Sequence, residues 1–444
     1  MEQVVVRFAP SPTGYLHIGG ARTALLNWLY AKKHNGRFLL RIEDTDANRN
    51  DQRCIDAILE SLKWLCIDYH GSPTIQSQNL NRHAKVAHDL LATGKAYRCY
   101  CSTERLDELR KEQSDRKLPS RYDRRCRGID HPLDLPYVIR LKVPDGMDSL
   151  TIDDTIKGRV TIKADDLDDL IMLRSDGTPT YLLSVVVDDH DAGITNIIRG
   201  DDHFTNTFRQ ALIYQASGWK LPKFAHLPLI HGADGAKLSK RHGAVGVQEY
   251  RALGYLPQAI ILYLFSLGFG DRCRTLPEMI ARFDLQKISK SASRIDLQIL
   301  NAINARTMKN DPTILDQILV HPNANDLPNE ILLKALPELI PRSQTIVELI
   351  DLFRKIYLME YPQELPTIDP AIREFLRELA KEFTPQLFSD PESMKQFIVS
   401  RCGDHPLSAV LDGLRWLITH QPSSPNIYRI MAAIGPDRCI QRMA

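Results

Sequence analysis

Two short motifs carry residue types able to do chemistry. They are Pro10-Ser11-Pro12-Thr13-Gly14-Tyr15-Leu16-His17-Ile18-Gly19-Gly20 and, more than 200 residues later, Lys237-Leu238-Ser239-Lys240-Arg241. The first follows the apolar run Val4-Val5-Val6 and precedes a helical pattern. A strand that feeds a Gly-rich turn and a helix start offers free backbone N–H groups to a nucleotide's phosphates. Gly19 and Gly20 withhold side chains, so an adenosine can approach the backbone closely. The His17 imidazole stands where it can hydrogen-bond a phosphate oxygen. Lys237 and Lys240 can close over those phosphates and neutralise charge as it develops. Alone, the second motif reads as a solvated basic turn, and His17 as a helix cap. Together they indicate ATP-dependent activation of a second substrate.

The elements that must position these residues are legible from hydrophobic periodicity. Val4–Phe8 and Arg37–Ile42 read as strands. Gly20–Lys33 reads as a helix with Ala21, Leu25, Leu26 and Leu29 on one face, followed by helices over Arg53–Leu65 and Leu80–Leu91. This is a βαβ start, which predicts a parallel sheet with helices on both faces. From Cys99 to Val160 the pattern becomes irregular, charged and proline-punctuated, as in an insertion. Alternation resumes with strands expected over Asp169–Arg174, Tyr181–Asp188 and Thr195–Arg199, then a helix from about Asn206 to Ala216. From Val247 onward nearly everything reads as helix, most clearly over Thr345–Leu358, Ala371–Phe383 and Leu407–Thr419.

At 444 residues the chain can form two to four domains. Its 43% apolar and 25% charged content is that of an ordinary globular protein. Arg7 interrupts the first apolar run, so no secretion signal is expected, and no apolar run approaches the ~18 residues of a membrane span. Eight cysteines without such a signal suggest a reducing, cytoplasmic setting. Charge is divided unevenly. Residues 311–444 hold 13 Lys+Arg against 18 Asp+Glu, leaving a net +7 before residue 311 and −5 after it. A polyanion would therefore be met mainly by the first part, through clusters such as Arg121–Arg127 and Lys237–Arg241.

Six ordered blocks resemble the bacterial glutamyl-tRNA synthetases, class I aminoacyl-tRNA synthetases. Arg7-Phe8-Ala9-Pro10 through Gly20 is similar to that family's first signature, and Arg41-Ile42-Glu43-Asp44-Thr45-Asp46 to its second block. Pro179-Thr180-Tyr181, Val187-Asp188-Asp189-His190 and Ile198-Arg199-Gly200-Asp201-Asp202-His203 are similar to blocks lining its active site. Lys237–Arg241 resembles its KMSKS loop. Ser424-Pro425-Asn426-Ile427-Tyr428 and Ile434-Gly435 extend the likeness to the C-terminal region.

The resemblance implies an α/β fold: a Rossmann-type catalytic domain (1–98 and 169–236) with an inserted acceptor-stem-binding domain (99–168). The KMSKS loop and a stem-contact domain (237–310) follow, then a helical anticodon-binding domain (311–444). It implies attachment of L-glutamate to tRNA-Glu, or to tRNA-Gln as well or instead, through a glutamyl-adenylate. ATP is the second substrate, Mg²⁺ attends it, and a monomer is expected. An inactive tRNA-binding paralogue is a remote alternative, disfavoured because Arg7, His17, Glu43 and Lys240 are all present.

Glutamate carries two carboxylates and one ammonium, so its site needs two cations and one anion. Arg7, Arg199 and Glu43 are expected to supply them, with Ala9, Ser11 and Tyr181 beside them. His17, Gly19, Lys237 and Lys240 are the expected catalytic set. Pro10, His17, Gly19, Gly20, Leu238, Ser239 and Lys240 are the expected ATP contacts.

Cys99-x-Cys101 followed by Tyr122-x-x-x-Cys126 resembles the zinc knot in the acceptor-binding insertion of part of this family. Position 128, where one version of the knot has its fourth ligand, is glycine. Tyr122 fits another version, His131 is an alternative, and three free thiols without metal stay open.

Overall fold

The computed structural model describes residues 3–45, 51–129, 131, 133–232, 234–235, 246–270, 273–360, 368–421 and 423–444. It divides into two compact units, residues 1–248 with 261–296, and residues 249–260 with 297–444.

In the first unit, strand β1 (Val5–Phe8) is buried along its whole length and pairs in parallel with β2 (Arg37–Ile42), which pairs with β3 (Thr74–Ile75). The expected helices follow: α1 (Ile18–Lys33), α2 (Gln52–Trp64) and α3 (Leu80–Ala92). Strand β4 (Ala96–Cys99) leads into helix α4 (Thr103–Asp115), which Ser102 caps by accepting the Arg105 N–H. Strands β5 (Val138–Leu141) and β8 (Ile171–Leu173) join β4 in an antiparallel sheet of order β4–β5–β8, which spans both expected edges of the insertion.

Strands β6 (Ser149–Asp154) and β7 (Gly158–Lys163) form an antiparallel hairpin that is not confined to the insertion. Its Asp154 pairs with Phe224 of β10 (Lys223–Leu227), and β10 runs parallel to β9 (Asn196–Gly200). Thr195 ties β9 to β1: its N–H donates to Val5 O and its Oγ1 accepts the Val5 N–H, each at 2.9 Å. Strands β1 and β9 thus lie side by side with their carboxyl ends together. In doubly wound sheets that is where the crevice for a ligand opens.

One expectation fails. Tyr181–Asp188 is not a strand; it lies in helix α5 (Tyr181–Asp191). The valine run Val185–Val187 suggests a strand by composition, but residues 183–189 are all buried. A short apolar run buried on every side has no amphipathic period to distinguish helix from strand. The helix stacks Asp188 and Asp189 on successive positions, which the site exploits. Helix α6 (Phe204–Ala216) follows β9 as expected.

The second unit is helical. Thr345 caps helix Ile346–Phe353 by accepting the Glu348 N–H, while Glu348 Oε2 accepts the Gln344 N–H. Pro370, Pro391 and Pro436 stand at helix starts, where a missing N–H costs nothing. The helix expected over Thr345–Leu358 changes to a π turn at Arg354–Leu358 and stops at Met359, φ 57°. Helix Leu407–Thr419 ends on His420 at φ 51°, in the left-handed region that favours glycine. Among the described residues no helix is long and apolar enough to cross a membrane.

Candidate active site

A cavity of about 530 Å³ opens where β1 and β9 end, walled by the turn after β1, the start of α1, and Tyr181, Arg199 and His203. Arg7, Ala9, Pro10, Ser11, His17, Gly19, Gly20 and Glu43 all line it. These are distant in sequence, and the sheet brings them together.

One side of the cavity is a network of buried charge. Arg7 donates through Nε to Asp189 Oδ1 at 3.0 Å. Arg41 donates through Nη1 to the same oxygen at 2.6 Å and through Nη2 to Glu43 Oε1 at 3.0 Å. Asp188 accepts from Gln76 and Asn79 and pairs with His83 Nε2 at 2.8 Å. Burial opposes ionisation of Asp189, yet Arg41 and Arg7 hold its carboxyl below the usual range. Burial likewise opposes the charge on Arg41, but Asp189, Glu43 and Asp188 keep it protonated. Glu43 goes the other way: its burial outweighs Arg41, so its carboxyl is pushed up. An ammonium placed against Glu43 would oppose that shift.

Arg199 is different. Although only 6% exposed, among the described residues it hydrogen-bonds neutral groups alone: Thr207 Oγ1, Gln210 Oε1, His203 O and His226 Nε2. Its Nη1 is buried without a hydrogen bond. Burial lowers its pKa, and among the described residues no carboxylate pairs with it directly. A buried guanidinium in that state favours an incoming carboxylate. Beside it, the Tyr181 hydroxyl lies 3.1 Å from His203 Nδ1, and burial pushes the phenol up to about 12.

The nucleotide side is built on the start of α1. His17 is its N-cap, and its Nδ1 accepts the Gly20 N–H at 3.1 Å. A Cβ on Gly19 would stand 3.1 Å from the His17 ring, and one on Gly20 would stand 2.9 Å from Leu16 Cδ1. Lys237, Leu238, Ser239 and Lys240 lie outside the described residues. Gly246 bridges His17, and the Val247 N–H donates to Leu16 O at 2.9 Å, so the chain after the second motif returns to the first.

Sequence reasoning missed Arg22. It lines the cavity, is 2% exposed, donates from Nη1 to Pro228 O, and is drawn down to about 10 by burial. The signal was available: Arg22 adjoins the apolar stripe of α1. The supports Thr207, Gln210, His226 and Asp154 were missed as well, and nothing in their spacing marks them.

The Cys99, Cys101 and Cys126 sulfurs all lie within 4.8 Å of one another. Cys101 and Cys126 are 3.7 Å apart, and the Tyr122 hydroxyl lies 3.3 Å from Cys99 and 3.6 Å from Cys101. Thiolates on one tetrahedral zinc, with bonds of about 2.3 Å, stand roughly 3.8 Å apart, so the donors fit that ion. His131 is exposed and does not join the group. Arg140 lies 4.0 Å over the Tyr122 ring.

Residues 3–302 match the family model "tRNA synthetases class I (E and Q), catalytic domain", and residues 313–444 match "Anticodon binding domain". The chain is 45% identical to the glutamate–tRNA ligase 2 of Rhodospirillum rubrum, over 99% of this chain and 98% of that one. It is 44% identical, at the same coverage, to the glutamate–tRNA ligase of Rhodopseudomonas palustris strain TIE-1. Its fold is similar to the crystal structure of a glutamate tRNA ligase from Elizabethkingia meningosepticum in complex with its amino acid. That likeness has a TM-score of 0.88 and 29% identity, and covers 100% of this chain and 98% of that one. With its two ordered motifs, paired-strand crevice and helical second unit, the chain belongs to the class I tRNA synthetases of the E and Q type.

Proposed function

We propose that the chain attaches L-glutamate to tRNA in two steps. The buried Arg199, hydrogen-bonded to neutral groups alone among the described residues and lining a ≈ 530 Å³ cavity, is the observation that carries this reading. Arg7 and Arg199 grip the two carboxylates, Glu43 takes the ammonium, and Tyr181 adds a hydroxyl. A glutamate α-carboxylate oxygen attacks the α-phosphorus of ATP, and the bond to pyrophosphate breaks. Backbone N–H groups at the start of α1, His17, Lys237 and Lys240 stabilise the charge that builds on the phosphates. Mg²⁺, when bound with ATP, screens the pyrophosphate. A hydroxyl of the terminal adenosine of tRNA then attacks the acyl carbon and releases AMP. Residues 99–168 hold the acceptor end, and the helical unit reads unstacked anticodon bases.

Cys99, Cys101, Cys126 and Tyr122 would hold a zinc ion whose part is structural, tying β4 to the segment after α4. Pyrophosphate exchange into ATP that requires both glutamate and tRNA is the expected result, and no exchange with any amino acid would refute the reading. Parallel charging of tRNA-Glu and tRNA-Gln identifies the recipient. Lys240→Ala lowers kcat steeply; a change in KM alone would contradict its role.

A further inference from the structure

Behind Arg199 lies a second buried pair. His226 and Asp154 are both fully buried side chains, with His226 Nδ1 2.6 Å from Asp154 Oδ2. Asp154 is fixed in turn: Oδ1 accepts the Ile156 and Lys157 N–H groups at 2.9 and 2.8 Å, and Oδ2 accepts the His226 N–H at 3.1 Å. On the other side of the ring, Arg199 Nε donates to His226 Nε2 at 3.1 Å, and Thr207 Oγ1 lies 3.0 Å from the same atom. Arginine is never an acceptor. Nε2 must therefore be bare, which leaves the proton on Nδ1, facing the carboxylate.

We propose that His226, held by Asp154 as its Nδ1–H tautomer, is a positioning residue that aims Arg199 at the carboxylate of glutamate. This inference rests on the reading of Arg199 as a glutamate anchor. Asp154 belongs to β6, so the hairpin within residues 99–168 reaches the amino-acid pocket through two hydrogen bonds. An imidazole suits the task because it offers a rigid acceptor at one nitrogen and a donor at the other. A carboxylate in the same place would pair with Arg199 and compete with the substrate.

The arrangement is sensitive to acid. Burial holds His226 below the ordinary histidine value, with the bond to Asp154 opposing it. Around the ring stand Asp154 from β6, Arg199 from β9, Thr207 from α6, and the rings of Phe204 and Phe224. Asp201, paired with Lys157, acts on it from farther away. As pH falls through the lowered value, Nε2 gains a proton that confronts the Arg199 N–H. The acceptor is then lost and glutamate use weakens.

Two variants test this. His226→Asn keeps a donor near Asp154 but places nothing at Nε2, whereas His226→Gln places an amide oxygen there and does not titrate. A hydrogen bond to a charged group corresponds to about tenfold to a hundredfold in affinity. His226→Asn should therefore raise the glutamate KM by about tenfold or more, with the ATP KM within about twofold. His226→Gln should recover most of that loss and abolish the acid limb of kcat/KM for glutamate. Equal changes in both KM values for His226→Asn, or an acid limb that persists in His226→Gln and so belongs to a group such as His203, would overturn the proposal. Nitrogen NMR of histidine-labelled protein without substrate gives an independent readout. The resonance missing from His226→Gln should report a protonated Nδ1 and bare Nε2 near neutral pH. The opposite tautomer or an imidazolium would refute the positioning role, whatever amino acid the protein activates.

Discussion

The charged pocket and the cysteine cluster solve opposite problems within the first unit. In the pocket the protein supplies both signs itself: Arg7 and Arg41 meet Asp189, and Arg41 meets Glu43, all inside the core. In the cluster, three sulfurs and a phenol converge, with the Arg140 guanidinium beside Cys99 and 4.0 Å over the phenol ring. Its core is four buried residues, Tyr97, Cys99, Tyr122 and Cys126, partly covered by Leu106, Ile129 and Val138. The pocket is preorganised by folding, and Arg199, which we propose as a glutamate anchor, meets neutral groups there. The donors of the cluster could hold a zinc ion, which would itself be part of the fold.

The largest effect should come from removing the shared cation of the pocket. Arg41→Met leaves Asp189, Asp188 and Glu43 buried without it, so stability should fall by about 3–5 kcal/mol in urea titration. A loss below about 1 kcal/mol would mean that the carboxylates are neutral and the comparison is misdrawn.

A smaller, local effect is expected in the cluster. Elemental analysis should find one zinc per chain, and Cys126→Ser or a strong chelator should remove it. Protease should then cut within 100–135 while the midpoint of global unfolding moves little. A midpoint that fell as far as in Arg41→Met would erase the distinction.

The smallest effect is in the acid limb of stability. The folded Asp189 has a lowered pKa, so its contribution is fully present above the ordinary aspartate value of about 3.9. It is lost as pH falls through the lower folded value. Asp189→Asn should therefore flatten the stability profile in that window, and an unchanged slope would show that another carboxylate governs it.

Much of the site was legible because its signals are local. Turn, cap and helix start are contiguous in residues 8–20, and the strands flanking them follow from apolar runs. The thiol spacing in Cys99-x-Cys101 is local as well. Tyr181–Asp188 was misread because its apolar run is buried all round in a helix, which removes the period that would identify it. Arg22 shows in the sequence only as a charge beside an apolar stripe, and its place in the cavity depends on the fold.

The sequence by itself determined the ligand-bearing elements and the residue types at their ends, since helix starts, glycine turns and buried strands depend on neighbours a few positions apart. Only the tertiary structure decided how the charges are shared. Arg7 meets Asp189 across 182 positions and His226 meets Asp154 across 72, while Arg199 hydrogen-bonds the neutral Thr207 and His226. The reason is physical. The strength of an ionic contact is set by distance and burial after the sheet has closed, and neither quantity is encoded in the spacing of residues along the chain.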